Sequence, residues 1–364
     1  MTAISLTASK SVLAASLYSV TDLGALTGQA FSYATGINDS GEVAINSLTS
    51  SFFYSNGLLK KISPLPGDNQ LGVTGINNLG QVVGNSVGSN NFTRNNPFLY
   101  SNGITQPLSI QNAIPYAIND RTQIVGGASG LGSFLYSNGI ATSIGTPGNV
   151  AYSLNNLGQV VGILSSNTGF LYENGQTTNL GTLPGDAYSV ANDINDSGQV
   201  VGSSGLSGID DGRAFLYSSS TGLQDLGRLR PTDLFSAAIG INNLGQVVGF
   251  SGTNNDFYTT DGNSLRAFLY SDNTLYDLND LIAPDSDPGF TLTAASAINN
   301  NGQIVGRGAV NGELHAFLLT PTSSVSVAEP TSSVPILSFG AIVTLFAVLK
   351  HKRHSSSAAI QQTS

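Results

Sequence analysis

The sequence predicts an all-β fold: a seven-bladed β-propeller of four-stranded blades, its ring closed by the N-terminal strand, with a C-terminal transmembrane helix added. Three observations carry this. A phrase of the form Ile-Asn-x-x-Gly-Gln-Val recurs seven times, with its asparagine at Asn38, Asn77, Asn119, Asn155, Asn195, Asn242 and Asn299. A second phrase, Phe-Leu-Tyr or a close variant, follows each copy, beginning at Phe52, Phe98, Phe134, Phe170, Phe215, Phe268 and Phe317. The two chain ends are also complementary, because the last unit lacks a fourth segment that the N-terminus supplies. Self-similarity at about 40 residues, with four short strands per unit, is the pattern of propeller blades.

Each unit reads as four strands. Strand a ends at Ile-Asn, and Asn-Asp or Asn-Asn followed by Gly supplies the positive-φ residues of a tight turn. Gly80, Gly158 and Gly245 sit at that turn, and the asparagines from Asn38 and Asn77 onward cap it through their side chains. Strand b is Gln-Val-Val-Gly and strand c is Phe-Leu-Tyr, both too short for helices and rich in strand formers. In the triplet Phe98, Leu99, Tyr100 successive side chains alternate faces and pack between blades. Ser-Asn-Gly then makes a second tight turn into strand d, as in Gln176-Thr-Thr-Asn-Leu-Gly181 or Gly222-Leu-Gln-Asp-Leu-Gly227. The seventh unit runs from strand c into Pro321, whereas Leu17-Tyr-Ser-Val-Thr-Asp-Leu-Gly24 is an orphan strand d. Placed on the outer edge of blade seven, it closes the ring and covers an open sheet edge. A β-solenoid is the competing architecture, and it would not need complementary ends.

Composition bounds the chemistry. Charged residues make up 10% of the 364 residues and there is no cysteine. That excludes a disulfide scaffold, a thiolate metal site and a cysteine nucleophile. Three histidines leave little for a His-based centre. All 22 acidic residues lie at or before Glu329, so the repeat region is acidic and repels nucleic acid. No G-x-S-x-G, P-loop or H-E-x-x-H is present. No cofactor, metal site or catalytic residue is assigned. Asp22, Asp225 and Asp277 recur on strand d and read as turn-bonding groups, and His315 as a packed or surface residue.

Function on a repeat scaffold concentrates where the repeat breaks. The a–b and c–d turns are tight, whereas the b–c and d–a connections vary and emerge on the other rim. The long ones span residues 85–97, 203–213, 250–266 and 280–293. They carry the candidate binding residues Arg94, Asp210, Asp211, Arg213, Asp256, Tyr258, Asp261, Asp285 and Asp287. The strictly repeated residues are, on this reading, scaffold. The loop acids offer oxygen ligands for Ca²⁺ but match neither an EF-hand nor a nonapeptide calcium repeat. A glycosidase would need two carboxylates placed across a cleft.

The ends give an address. Residues 1–15 resemble the latter half of a signal peptide, with a cleavage site at Val12-Leu-Ala14. Residues 16–320 are the propeller and 321–333 a Ser/Thr/Pro linker. Residues 334–349 form an uncharged 16-residue run, roughly 24 Å as a helix, slightly short of the ~30 Å of a bilayer core, a gap that a snorkelling Lys350 would help to close. Residues 350–364 are a tail whose cluster of Lys350, Lys352 and Arg353 stays cytoplasmic, leaving the propeller outside.

The unit Ile-Asn-x-x-Gly-Gln-Val-Val-Gly … Ala-Phe-Leu-Tyr … Asp-Leu-Gly resembles the bacterial extracellular HAF repeat over residues 17–320. The namesake triplet stands at His315-Ala316-Phe317, with variants Arg213-Ala-Phe215 and Arg266-Ala-Phe268. The tail is similar to a PEP-CTERM sorting signal, with Val327, Glu329 and Pro330 ahead of the apolar run and the basic cluster. Ala328 stands where that signal has proline, and the tail extends further than usual. The resemblance implies processing by an exosortase-type enzyme, export, and association with extracellular polysaccharide. It implies no enzymatic activity. The expected function is therefore a non-catalytic surface or matrix propeller that binds a polysaccharide or protein partner through its loop-rich face. The alternatives are a secreted carbohydrate-active hydrolase or lyase using loop carboxylates of blades five and six, and a purely structural envelope protein.

Overall fold

The computed structural model describes residues 17–88, 95–146, 148–208, 211–253, 264–286 and 289–322. They form seven four-stranded antiparallel sheets. In six blades the strands follow one another in sequence order, from Ser32–Ile37, Val43–Ser47, Ser51–Ser55 and Leu58–Ile62 in blade one to the corresponding strands of blade six. Blade seven combines Thr291–Ile298, Ile304–Val310 and Glu313–Pro321 with the N-terminal strand Tyr18–Asp22 as its outer edge. Strand a of each blade touches strand a of the next, and that of blade seven touches blade one, so these strands line the axis. The propeller and its N-terminal closure are thus as the repeat pattern predicts. Among the described residues no helix is long and apolar enough to cross a membrane. The segments 1–15, 334–349 and 350–364 lie outside the described residues.

The conserved phrases meet in each blade's core. Phe98, Phe134, Phe170, Phe215, Phe268 and Phe317 on strand c are at most 2% exposed. The Gly of strand b lies across from that ring: a Cβ on Gly202 would stand 1.9 Å from the Val190 carbonyl and 2.8 Å from the Phe215 ring. Gly therefore serves close approach of backbone and ring at this position. Blade one carries Ile45 there instead; Ile45 is fully buried and its cross-strand partner Phe52 only partly so. Strand c alternates as expected. Phe98 and Tyr100 pack with Val82 and Ala44, whereas Leu99 packs with Ile118 and Phe134 of the next blade.

Strand d runs to its Gly in Gln176–Gly181 and Gly222–Gly227 as the sequence implied, but ends earlier, at the Asp, in Tyr18–Asp22 and Thr274–Asp277. Leu23–Thr27 forms a short helix, α1, capped by Asp22, whose Oδ1 accepts from Ala25 N at 2.9 Å. Asp277 likewise caps a 3-10 turn over Leu278–Leu281. Asp favours the cap over continuation as strand, because its side chain satisfies an otherwise unpaired N–H. The same carboxylates pair across the sheet with the first residue of the His/Arg-Ala-Phe triplet. Asp22 meets His315 Nδ1 at 3.0 Å, Asp225 accepts from Arg213, and Asp277 from Arg266 at 3.0 Å. The triplet and the Asp-Leu segment are one cross-strand contact made three times. In blade seven it ties the closing strand to the ring.

Candidate functional site

The axis is lined by two kinds of position on strand a. The first is the repeated asparagine and its successor. Asn38 Oδ1 accepts from Ser40 N and Glu42 N, which holds its own turn. Its Nδ2 donates to the carbonyl of Asn77 in the next blade at 3.1 Å. The same bond runs from Asn77 to Asn119, Asn155, Asn195, Asn242 and Asn299, and from Asn299 back to Asn38. These asparagines are buried. A second belt joins the following residues. Asp39 N donates to Asn78 Oδ1 at 2.8 Å, and the pattern passes through Asp120, Asn156, Asp196, Asn243 and Asn300 to Asp39. No two aspartates are neighbours in it. Asn156 Nδ2 donates to Asp120 at 3.0 Å and to Asp196 at 3.3 Å. Asn243 serves Asp196 and Asn300 serves Asp39.

These belts surround a polar mouth of about 200 Å³ on the tight-turn face. The repeated asparagines thus cap their turns as the sequence indicated, and also join each blade to the next and line the mouth. Asp193 stands at the throat, where other blades carry Gly36, Gly75, Ala117, Ser153, Gly240 and Ala297. Its carboxylate accepts from Ser153 Oγ at 2.7 Å and Ile241 N at 3.0 Å. Desolvation raises its pKa above the ordinary 3.8, against the pull of those hydrogen bonds. Among the described residues no cluster of three His, Asp or Glu side chains is arranged to hold a metal.

The second kind of position is the bulge. Every strand a slips by one residue three places before its asparagine, leaving Thr35, Thr74, Tyr116, Tyr152, Asn192, Ile239 and Ser296 unpaired in the ladder. A bulge re-aims one side chain without breaking the strand. In blades three and four the bulge residue is a tyrosine, Tyr116 and Tyr152, and Tyr188 of blade five lies near them. Tyr116 and Tyr152 meet edge to face at 5.5 Å. Burial raises the phenol pKa of Tyr116, Tyr152 and Tyr188, and in Tyr152 the two neighbours add to it. Across from them, blades five, six, seven and one border a largely apolar cavity of about 370 Å³. Strand a enters from the loop-rich rim and ends at the tight turns, so this cavity lies on the loop-rich side of the mouth.

Of the loop residues singled out by sequence, Asp211 folds back on its own loop. Its carboxylate accepts from Leu206 N, Ser207 N and Ser207 Oγ. Arg213 is held between Asp186 at 2.9 Å and Asp225. Asp285 is exposed on the 3-10 turn Pro284–Ser286. The structure brings Asp211 and Arg213 to one corner of the rim and sets Asp285 apart beside the closing strand, where Ser286 Oγ accepts from Val20 N. Arg94, Asp210, Asp256, Tyr258, Asp261 and Asp287 lie outside the described residues, as do Val327, Glu329, Pro330, Lys350, Lys352 and Arg353.

Sequence reasoning passed over the channel wall. Its signal was present, because a position that changes chemistry between invariant neighbours of a repeat faces away from the shared core. The residue after Val-Val-Gly, or its equivalent, is Asn46, Asn85, Gly127, Ile163, Ser203, Phe250 and Arg307 in successive blades. Ser203, Phe250 and Arg307 all line the cavity.

A family model described as "Protein of unknown function (DUF3466)" matches residues 184–318, which is blades five to seven. No curated protein matches the sequence. Among solved structures the chain is similar to the extracellular domain of the putative hybrid two component system BT4673 from B. thetaiotaomicron. The identity is 16% and the TM-score 0.52, over 85% of this chain and 40% of that one. It is also similar to a chain of the Mitotic Checkpoint Complex, at 13% identity and a TM-score of 0.52, over 88% of this chain and 98% of that one. The chain therefore spans about two fifths of the first structure's length. At these identities the likeness is one of fold, and the fold is a seven-bladed β-propeller.

Proposed function

We propose that this chain is an exported, non-catalytic β-propeller that binds an extracellular polysaccharide through its loop-rich face. One observation carries the reading: the two faces are chemically unequal. On the tight-turn face the repeated Asn and Asp groups are engaged in closed belts. The longer connections and the axial cavity lie on the other face, beside a cluster of tyrosines. Aromatic rings with polar tips beside Asn and Arg side chains are suited to sugar rings, which present apolar C–H faces and hydroxyl edges. Export, sorting by the C-terminal signal and transient anchoring through residues 334–349 belong to the same proposal. The similar B. thetaiotaomicron structure is that of an extracellular domain, which accords with it.

The test is binding of the full-length chain to purified extracellular polysaccharide of the producing bacterium, with polymer length followed in parallel. Saturable binding without shortening is expected. Shortening would overturn the non-catalytic reading, and absence of binding would leave a structural envelope role. Intact mass of the mature protein tests sorting: loss of the C-terminal segment is expected, and a retained tail would refute cleavage.

A further inference from the structure

We infer that the cavity between blades five, six, seven and one is a binding site for a small amphipathic anion, an aryl or branched-alkyl carboxylate. The cavity lies on the same side as the proposed polysaccharide-binding face, and an anion held in it does not require that reading. The wall is built for a small apolar body: Val190, Ala237, Ile239, Phe250 and Ala294 border about 370 Å³. A pocket of this size, mostly apolar with a few convergent polar groups, suits a small organic molecule. Two polar features mark its anionic end. Arg307, a half-buried residue, contributes a guanidinium, the side chain best matched to a carboxylate. Ser203 contributes a buried hydroxyl that has no hydrogen-bond partner.

That hydroxyl is set apart within its own protein. The buried Ser51, Ser86, Ser133, Ser189, Ser204, Ser236 and Ser251 all make hydrogen bonds. Buried hydroxyls are ordinarily satisfied, and one that is not calls for a ligand or water. Symmetry breaks at the same place. The position after Val-Val-Gly is occupied in blades one and two by asparagines, which bond to neighbouring protein groups. In the three consecutive blades five to seven it holds a hydroxyl, a phenyl and a guanidinium, all facing one cavity.

Phenylacetate is the probe, titrated into the full-length chain by calorimetry and ligand-observed NMR, with phenylacetamide as its uncharged counterpart. Saturable binding of phenylacetate below about 10 mM is expected, within reach of a ten-heavy-atom ligand. Arg307→Gln is expected to weaken it at least tenfold, and phenylacetamide to bind the wild type at least tenfold more weakly. Ser296→Tyr fills the cavity from the bulge position. Blades three and four already carry tyrosine there as Tyr116 and Tyr152, so the backbone accepts it. It is expected to abolish binding while the unfolding midpoint stays within about 3 °C. No saturable binding by the wild type, or undiminished binding by Ser296→Tyr, would overturn the inference. Equal affinity for phenylacetamide would overturn its anionic part.

Discussion

Asn156→Asp tests what holds the blades in a ring. Asn156 Nδ2 bridges the carboxylates of Asp120 and Asp196. The substitution is nearly isosteric, but it removes both donors and puts a third carboxylate between two. A hydrogen bond to a charged group is worth about 1.5–3 kcal/mol. The side chains here are partly exposed, so the low end applies and two bonds amount to ~3 kcal/mol. Like-charge repulsion at about 4 Å in a water-like medium adds ~1 kcal/mol per neighbour. The expected loss is ~4–5 kcal/mol, or about 6–8 °C in Tm for a domain of this size.

The loss must also depend on pH. The introduced carboxyl, flanked by two others, has a folded pKa above its unfolded value. The native state then binds more protons than the unfolded chain between those two values, so the variant loses stability as pH rises through that window. At pH 4 the charge part, ~2 kcal/mol of the deficit, should be relieved, and the hydrogen-bond part should remain. Asn156→Ala, which removes the donors without adding charge, should show roughly the hydrogen-bond part at both pH values. Thermal unfolding of the three proteins at pH 4 and pH 7 is the assay. A deficit below about 1 kcal/mol at pH 7, or one of equal size at both pH values, would refute the argument.

Asp193→Asn should flatten part of the pH dependence of stability. Desolvation raises the Asp193 pKa, so the native state holds its proton longer and stability falls as pH climbs above 3.8. The variant should lose that slope in unfolding free energy measured from pH 4 to 7; an unchanged slope refutes the assignment. Gly202→Ala should cost about 3 kcal/mol or more by urea unfolding, because its Cβ would overlap the Val190 carbonyl and the Phe215 ring. A cost within a few tenths of wild type would mean the close approach is not there. Deleting residues through Asp22 should bare the edge of the strand Glu313–Pro321 and produce association or a lower Tm. It should also remove Tyr18, whose burial pushes its pKa to about 12. Ultraviolet titration before and after deletion checks this.

The architecture was legible because its causes are local and repeated. Asn-Gly turns, Phe-Leu-Tyr alternation and the orphan Leu17–Gly24 segment each name their place without knowledge of the partner strand. The pairing of the triplet's first residue with the strand-d aspartate was half visible. Asp225, Asp277 and Asp22 face Phe215, Phe268 and Phe317 in register, and only the structure shows that they reach diagonally to Arg213, Arg266 and His315. Of the channel wall, the position after Val-Val-Gly was legible but passed over, whereas the bulge positions Tyr116, Tyr152 and Ser296 were not, because alternation alone does not place a bulge. The role of Arg213 also escaped notice. A charged residue at a loop's end looks like a free ligand group until Asp186, 27 residues earlier, is seen beside it.

The belt of Asp39, Asn78, Asp120, Asn156, Asp196, Asn243 and Asn300 has a consequence of parity. Two colours can alternate without fault only around an even circuit, and this circuit is odd. One mismatch is unavoidable, and it falls where Asn243 meets Asn300, amide beside amide. The other possible fault, carboxylate beside carboxylate, does not occur. The mismatch gives the circuit a fixed origin. The belt therefore does more than hold the circuit shut: it marks the junction of blades six and seven, where Asn243 meets Asn300, as unlike the other six.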